Sequence, residues 1–324
     1  MGQRVDIIAI FRWHQHYRMF LGPTATCGCS CFTSVGTWSE VHAAAGAPSL
    51  SHHACVVMSG RYVVIIGGWT GRERTSDVHV YDVVSSQWST PRTMGFPAGA
   101  GLSSHAAALL SSGKILVVGR EGSLRMQRKF GSAFLLRGNP SLGGTGIFTY
   151  SEFPLSTASR SGHSIHVVGS TLVVLGGRND KMVEGHTVEK GCEDPRCETM
   201  LQLSQKIAES SSKQFTGRKQ HTAVSSCGVV FVHGGWTFDG KTREPVGEMY
   251  ALLVKSNRWV SLGESGVRRA GHICCCDGRR VVLHGGEGAR GVVHGTLHQL
   301  NINSWRYDIS HVSSVYHLAS VVNW

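Results

Sequence analysis

Histidine, cysteine and arginine are the side chains in this 324-residue chain that could carry chemistry: 18 histidines, 10 cysteines, and 32 basic residues against 21 acidic ones. Five histidines recur in step. His53, His105, His163, His221 and His272 each open an apolar run that closes 13 or 14 residues later at a glycine: Gly67, Gly119, Gly176, Gly234 and Gly285. The glycine is doubled in four of the five, while the second copy reads Gly119-Arg120. Neutral imidazole is the commonest nitrogen ligand for metals, so five histidines in step raise a metal reading. Each holds the equivalent place in a different repeat, which spreads them apart. A structural role is expected, with each ring bonded to the backbone of a neighbouring turn, and no metal is assigned to them.

The cysteines lead no further. Cys55, Cys227 and Cys274–Cys276 fall in expected strands, where a free thiol behaves as a small hydrophobe. Cys27, Cys29 and Cys31, or Cys192 and Cys197, lack the matched second pair of a zinc site. A core of this size needs no disulfide staples, which points to the reducing cytosol or nucleus. No nucleophile elbow, phosphate-binding glycine loop or paired-carboxylate motif is legible, and no cofactor is expected. The formal charge of +11 favours acidic partners. Without a run of five Lys/Arg or a nucleic-acid motif, nucleic acid is not expected among them. No apolar run is long enough to span a bilayer, and no signal-peptide pattern is visible.

What must position these groups is a set of short strands. In the first repeat, Ser51–Met58, Tyr62–Ile66, Val78–Val83 and a strand carrying Trp88 are separated by turn residues. The fourth and fifth repeats follow the same plan, with Trp259 and Trp305 in the place of Trp88. These tryptophans are expected to be packing residues. Histidine-to-histidine spacings of 52, 58, 58 and 51 residues give a period near 50, the mark of stacked propeller blades.

Two repeats depart from the plan. The second has Phe134-Leu135-Leu136 as its third strand and no outer tryptophan. The third is expected to lose its third strand to an insertion, residues 178–217, in which Met200, Leu203, Ile207 and Ala208 fall at helical spacing. Residues 1–35 show no repeat unit, although residues 36–41 around Trp38 resemble an outer strand. A propeller is thus expected over residues 36–310, with a tail at 311–324. Five complete blades are legible and six are expected in all, the first being either degenerate within residues 1–35 or missing from this sequence.

The tandem units resemble kelch repeats. Gly67-Gly68, Val80-Tyr81-Asp82 and Trp88 match the repeat's glycine pair, third strand and tryptophan, and the lead-in Arg-x-x-His stands as Arg160…His163, Arg218…His221 and Arg269…His272. The resemblance implies an all-β, kelch-type β-propeller serving as a non-catalytic, monomeric protein-binding scaffold in the cytoplasm or nucleus. In kelch adaptors, residues after the glycine pair and in the lead-in line the mouth of the central channel. Carried over, these are Trp69, Arg120, Arg178, Asn179, Trp236 and Glu287, with Arg160, Arg218 and Arg269. Arginine forks suit carboxylates and flat indoles suit anchoring, so an acidic peptide segment is the implied partner. The competing expectation is that the lead-in arginines are struts between repeats, pairing with acidic groups in the neighbouring blade. Leu50 and Leu102 at the equivalent places exclude a complete basic ring. The family also implies two rivals, a copper-radical oxidase and an actin-associated structural protein. The first needs a Cys/Tyr/His grouping that the seven tyrosines do not form.

Overall fold

The structure, a computed structural model, describes residues 47–119, 133–153, 160–178, 188–192, 205–206, 217–238, 241–276, 280–295, 297–301 and 321–322. The Trp38 segment, Trp305, Arg120, Asn179 and residues 200, 203, 207 and 208 lie outside that set. The regular secondary structure of the described residues is almost all strand, and the chain divides into two compact units.

In the first unit, β1 (Ala54–Met58), β2 (Tyr62–Trp69), β3 (Arg74–Asp82) and β4 (Gln87–Ser89) form an antiparallel meander. The next sheet has five strands. It joins β6 (Ala106–Leu109), β7 (Ile115–Val118), β8 (Ala133–Arg137) and β9 (Ile147–Glu152), with β5 (Arg92–Met94) added parallel to β9. Ser59 and Gly60, at φ of 54° and 61°, make the tight turn between β1 and β2.

The second unit holds three such sheets. Strands β10 (Ser161–Val168), β11 (Thr171–Arg178), β12 (Val188–Cys192) and β13 (Gln205–Lys206) make the first. After β14 (Arg218–Lys219), the second comprises β15 (Thr222–Ser226), β16 (Val229–His233), β19 (Glu248–Leu253) and β20 (Arg258–Glu264). A hairpin of β17 (Trp236–Phe238) and β18 (Arg243–Pro245) grows from its glycine pair and joins β14 in a small sheet of its own. The last consists of β21 (Ile273–Cys276), β22 (Arg280–His284), β23 (Leu297–Asn301) and β24 (Val321–Val322). Each four-stranded meander thus corresponds to one histidine-to-glycine register.

The third repeat keeps its third strand, contrary to the expectation that an insertion replaces it. Val188–Cys192 pairs along β11 from Thr171 to Leu175, and Gln205–Lys206 pairs with β12. A strand reading VEKGC has a single aliphatic residue and so shows no apolar alternation. Likewise, the tail supplies Val321 and Val322 to the last sheet, where a Trp305 strand was expected.

Strands second from the inside are buried on both faces, which is why they read as unbroken apolar runs. On β2, Val64 and Ile66 pack with Val78, Val80, Leu102, Ile115, Val117 and Phe134. Val63 and Ile65 face the other way, toward Tyr81, Val57 and Trp88. In the second unit, Val173 and Leu175 meet Val230, Val232 and Leu252, and Phe231 and Ala251 meet Val281 and Leu283. Within each unit, inner strands lie side by side: β1 by β6, β10 by β15, and β15 by β21. Trp88 and Trp259 are half-buried against Tyr81 and Tyr250, at ring separations of 5.0 and 6.1 Å. That is packing, as expected.

Candidate functional site

Three of the recurring histidines, His163, His221 and His272, wedge between glycines of two repeats. Gly177, Gly235 and Gly286, the second of each pair, lie against the Cβ of His163, His221 and His272 in their own repeat. The first glycine meets the histidine of the following repeat. A Cβ on Gly176 would stand 2.9 Å from His221 Cε1, and one on Gly234 would stand 2.8 Å from His272 Cε1. Gly67 meets Leu102 and His105 in the same manner. All these glycines have positive φ. The doubled glycine is therefore required twice over, by space and by backbone.

The lead-in arginines are internal. Arg160, Arg218 and Arg269 are 3%, 0% and 0% exposed. Each donates from Nη1 at 3.0 Å to the carbonyl of the first glycine of its own repeat: Gly176, Gly234 and Gly285. Arg218 also pairs with Glu248 at 2.6 Å and lies over the Tyr250 ring at 5.1 Å. Burial works to lower its pKa, and the Glu248 hydrogen bond opposes this. A guanidinium so enclosed offers no surface to a partner. These bonds tie each arginine to its own repeat, whereas the competing expectation put an acidic partner in the neighbouring one.

The residue before each recurring histidine is left-handed in all five repeats: His52 (φ 56°), Ser104 (53°), Gly162 (65°), Gln220 (53°) and Gly271 (65°). These residues form a backbone ladder. Ser104 donates to the His52 carbonyl at 2.9 Å, Gln220 to Gly162 at 2.7 Å, and Gly271 to Gln220 at 2.8 Å. Nothing in the residue types announces this, since only two of the five are glycine.

Beyond the frame sit the post-glycine residues. Trp69 is half-buried, tied through its backbone to Ser51 in both directions and flanked by the Arg74 guanidinium 5.8 Å from its ring. Arg178 ends β11 opposite Ser161 and is partly exposed. Trp236 starts the hairpin, opposite Lys219 and Pro245, and is partly exposed, as is Glu287. In the second unit, Arg178, Trp236 and Glu287 occupy corresponding ends of three successive sheets.

Other histidines cross between sheets. His221 Nε2 lies 2.9 Å from Ser164 Oγ, which His166 also reaches at 3.1 Å. His233 contacts His272 Nε2 through Nδ1 and Ser265 Oγ through Nε2, each at 2.8 Å. The Ser265–His233–His272 string has the spacing of a nucleophile relay, but its surroundings oppose that chemistry. Catalysis would need an imidazolium, and the charges nearest His233 are Arg269 and Arg218. Burial, then those arginines and His298, push His233 down to about 3. His221 is likewise pushed down to about 3 by burial, then Arg218 and His166. These rings are neutral linkers. Among the described residues, no group of three or more His, Cys, Asp or Glu is arranged to hold a metal ion, and no helix is long and apolar enough to cross a membrane.

One further feature escaped the sequence. A depression of about 710 Å³ lies between the turn after β20 and the segment following Gly286, lined among others by Glu264, Val267, Arg268, Val292, His294 and His298. Loop residues of this kind carry no periodic signal.

The chain matches the kelch motif over residues 51–95. It is 31% identical over 271 residues to human kelch domain-containing protein 9, covering 76% of each chain, and 29% identical to the mouse protein, covering 76% and 75%. Bovine kelch domain-containing protein 3 is 25% identical over 231 residues, which is 67% of this chain and 57% of the relative. The solved structure of YjhT superposes with a TM-score of 0.62 at 16% identity, covering 85% of this chain and 84% of that one, a likeness of fold. With a repeat whose histidine, glycine pair and lead-in are each accounted for by contact, the chain belongs to the kelch-repeat family of all-β propellers and is similar to kelch domain-containing protein 9.

Proposed function

We propose that this protein is a non-catalytic interaction module whose partner docks on the post-glycine residues and carries an acidic segment. One observation carries the reading: the lead-in arginines and four of the five recurring histidines are buried, while the residues just beyond the glycine pair are left partly exposed on a braced frame. Rigid scaffolds that present loops of this kind are recognition devices. In the second unit Trp236 on its hairpin is the aromatic anchor and Arg178 the charged contact, and Trp69 holds the equivalent slot in the first unit. Arg120 and Asn179 belong to the same slots by sequence. Arg160, Arg218 and Arg269 hold the frame beneath. The formal +11 charge favours an acidic segment over a basic one. A monomer in the cytoplasm or nucleus completes the proposal.

The test is affinity capture from cells with wild type and with the pair Arg178→Ala and Trp236→Ala. The expected result is a discrete set of partners retained by wild type, lost by the double variant at unchanged melting temperature, and weakened by salt. Identical partner sets for both proteins would exclude this face.

A further inference from the structure

The depression after β20 differs from the post-glycine slots in its chemistry. Its rim holds Arg268, whose Nε lies 3.6 Å from Glu264 Oε1, an exposed pair with side chains 64% and 45% accessible. Such a pair is weak and readily re-formed around another anion. Across from it, His294 is half-buried, and its backbone N–H donates to Gly286 at 2.9 Å. His298 stands on β23 opposite Leu283 and is 9% exposed. Val267, Ala289 and Val292 supply apolar wall.

The charged and titratable groups around the two histidines are Arg268, Glu264, Arg269, His233 and His272, with Glu287 paired against Val293 next to His294. Burial first, then the Arg269 guanidinium, keep both histidines below the ordinary histidine range; His294 adds to this for His298, and a backbone hydrogen bond at Arg268 opposes it for His294. An incoming negative charge would offset the guanidinium's effect on both. Linkage then requires that ligand and proton favour each other.

We propose that this depression seats a carboxylate of the acidic partner segment and that seating it takes up a proton on His294 or His298. Capture is therefore proton-coupled and tightens as pH falls from 7.5 to 6. This inference rests on the acidic-partner reading above but places the contact in a different part of the second unit.

The experiment uses the full chain and a fluorescein-labelled hexaglutamate peptide, read by fluorescence anisotropy at constant ionic strength between pH 6.0 and 7.5. Glutamate stays ionised over this range. The expected result is an affinity gain of about fivefold for wild type, within the roughly thirtyfold ceiling for one linked proton. One of the two variants, His294→Gln on its loop or His298→Gln on its strand, should flatten the pH dependence at unchanged melting temperature and so name the proton's carrier. Arg268→Gln should weaken binding at every pH while keeping the slope. A wild-type slope that survives His294→Gln and His298→Gln overturns the proposal, as does failure of the peptide to bind at pH 6.0. Equal displacement by inorganic phosphate would reassign the site to free anions. If Arg178→Ala with Trp236→Ala abolishes binding while the depression variants do not, the post-glycine face stands and this site falls.

Discussion

Gly176 and His221 belong to successive repeats and share one space: a Cβ on the glycine would sit 2.9 Å from His221 Cε1 and 2.8 Å from the Arg218 carbonyl oxygen. Neither neighbour can yield, because the histidine is held by Ser164 and the carbonyl is backbone. Gly176→Ala should therefore destabilise by about 2–4 kcal/mol, combining overpacking with left-handed strain. Gly60→Ala, at the same φ of 61° but with nothing within 4 Å, should cost only about 1 kcal/mol. Urea unfolding of the two variants separates the contributions, and equal losses would refute the shared-space account.

The left-handed ladder predicts opposite signs at equivalent places. Gln220 at φ 53° carries strain that glycine relieves, so Gln220→Gly should stabilise by about 0.5 kcal/mol after the loss of unfolded-chain stiffness. Gly271→Ala should destabilise by about 1 kcal/mol, although its Cβ would meet nothing within 4 Å. Differential scanning calorimetry on both decides the matter. A destabilised Gln220→Gly would mean that the glutamine side chain, not the backbone, matters there.

Two arginines should behave differently. Arg218→Ala strips a buried partner from Gly234 and Glu248 and should cost about 3 kcal/mol. Arg218→Lys should recover only part of that, since one ammonium does not reproduce a planar fork. Arg178→Ala should stay within about 0.5 kcal/mol of wild type while weakening partner capture. Thermal melts set beside capture yields give both readouts. An Arg178 variant that unfolds would move this residue into the frame.

Buried histidines make the fold acid-sensitive. His105, His221 and His233 are pushed down to about 3 and His166 to about 4, by burial foremost. An unfolded chain titrates near 6.5, so between that value and 3–4 it binds more protons than the folded one. The stabilisation is complete above about pH 6.5 and is lost progressively as pH falls below it. Melting temperature should be flat from pH 7 to 8 and decline steadily below 6, with proton uptake on unfolding at pH 5. A stability maximum near pH 5 would contradict this assignment.

How far the fold was legible follows from which residues had a single use. The histidine-to-glycine register could be read because both ends are sterically obligatory, and Val63–Ile66 because both its faces are buried. Val188–Cys192 was hidden, since its backbone pairs while its residue types do not alternate. Arg160, Arg218 and Arg269 were ambiguous for a chemical reason. A guanidinium that braces a carbonyl and one that grips a carboxylate look identical in sequence, and only enclosure tells them apart. The ladder and the depression rest on backbone angles and loop proximity, which residue identity does not encode.

Because the ladder joins backbone to backbone, what it asks of a side chain is tolerance of a left-handed turn rather than a particular chemistry. His52, Ser104 and Gln220 meet that demand beside the glycines Gly162 and Gly271. Lineages of this protein can thus exchange one non-glycine residue for another at the first three positions without redrawing the repeat, while the two glycines are held by their backbone angle. The same three are natural places to randomise in a binder library, since the frame beneath them rests on backbone bonds.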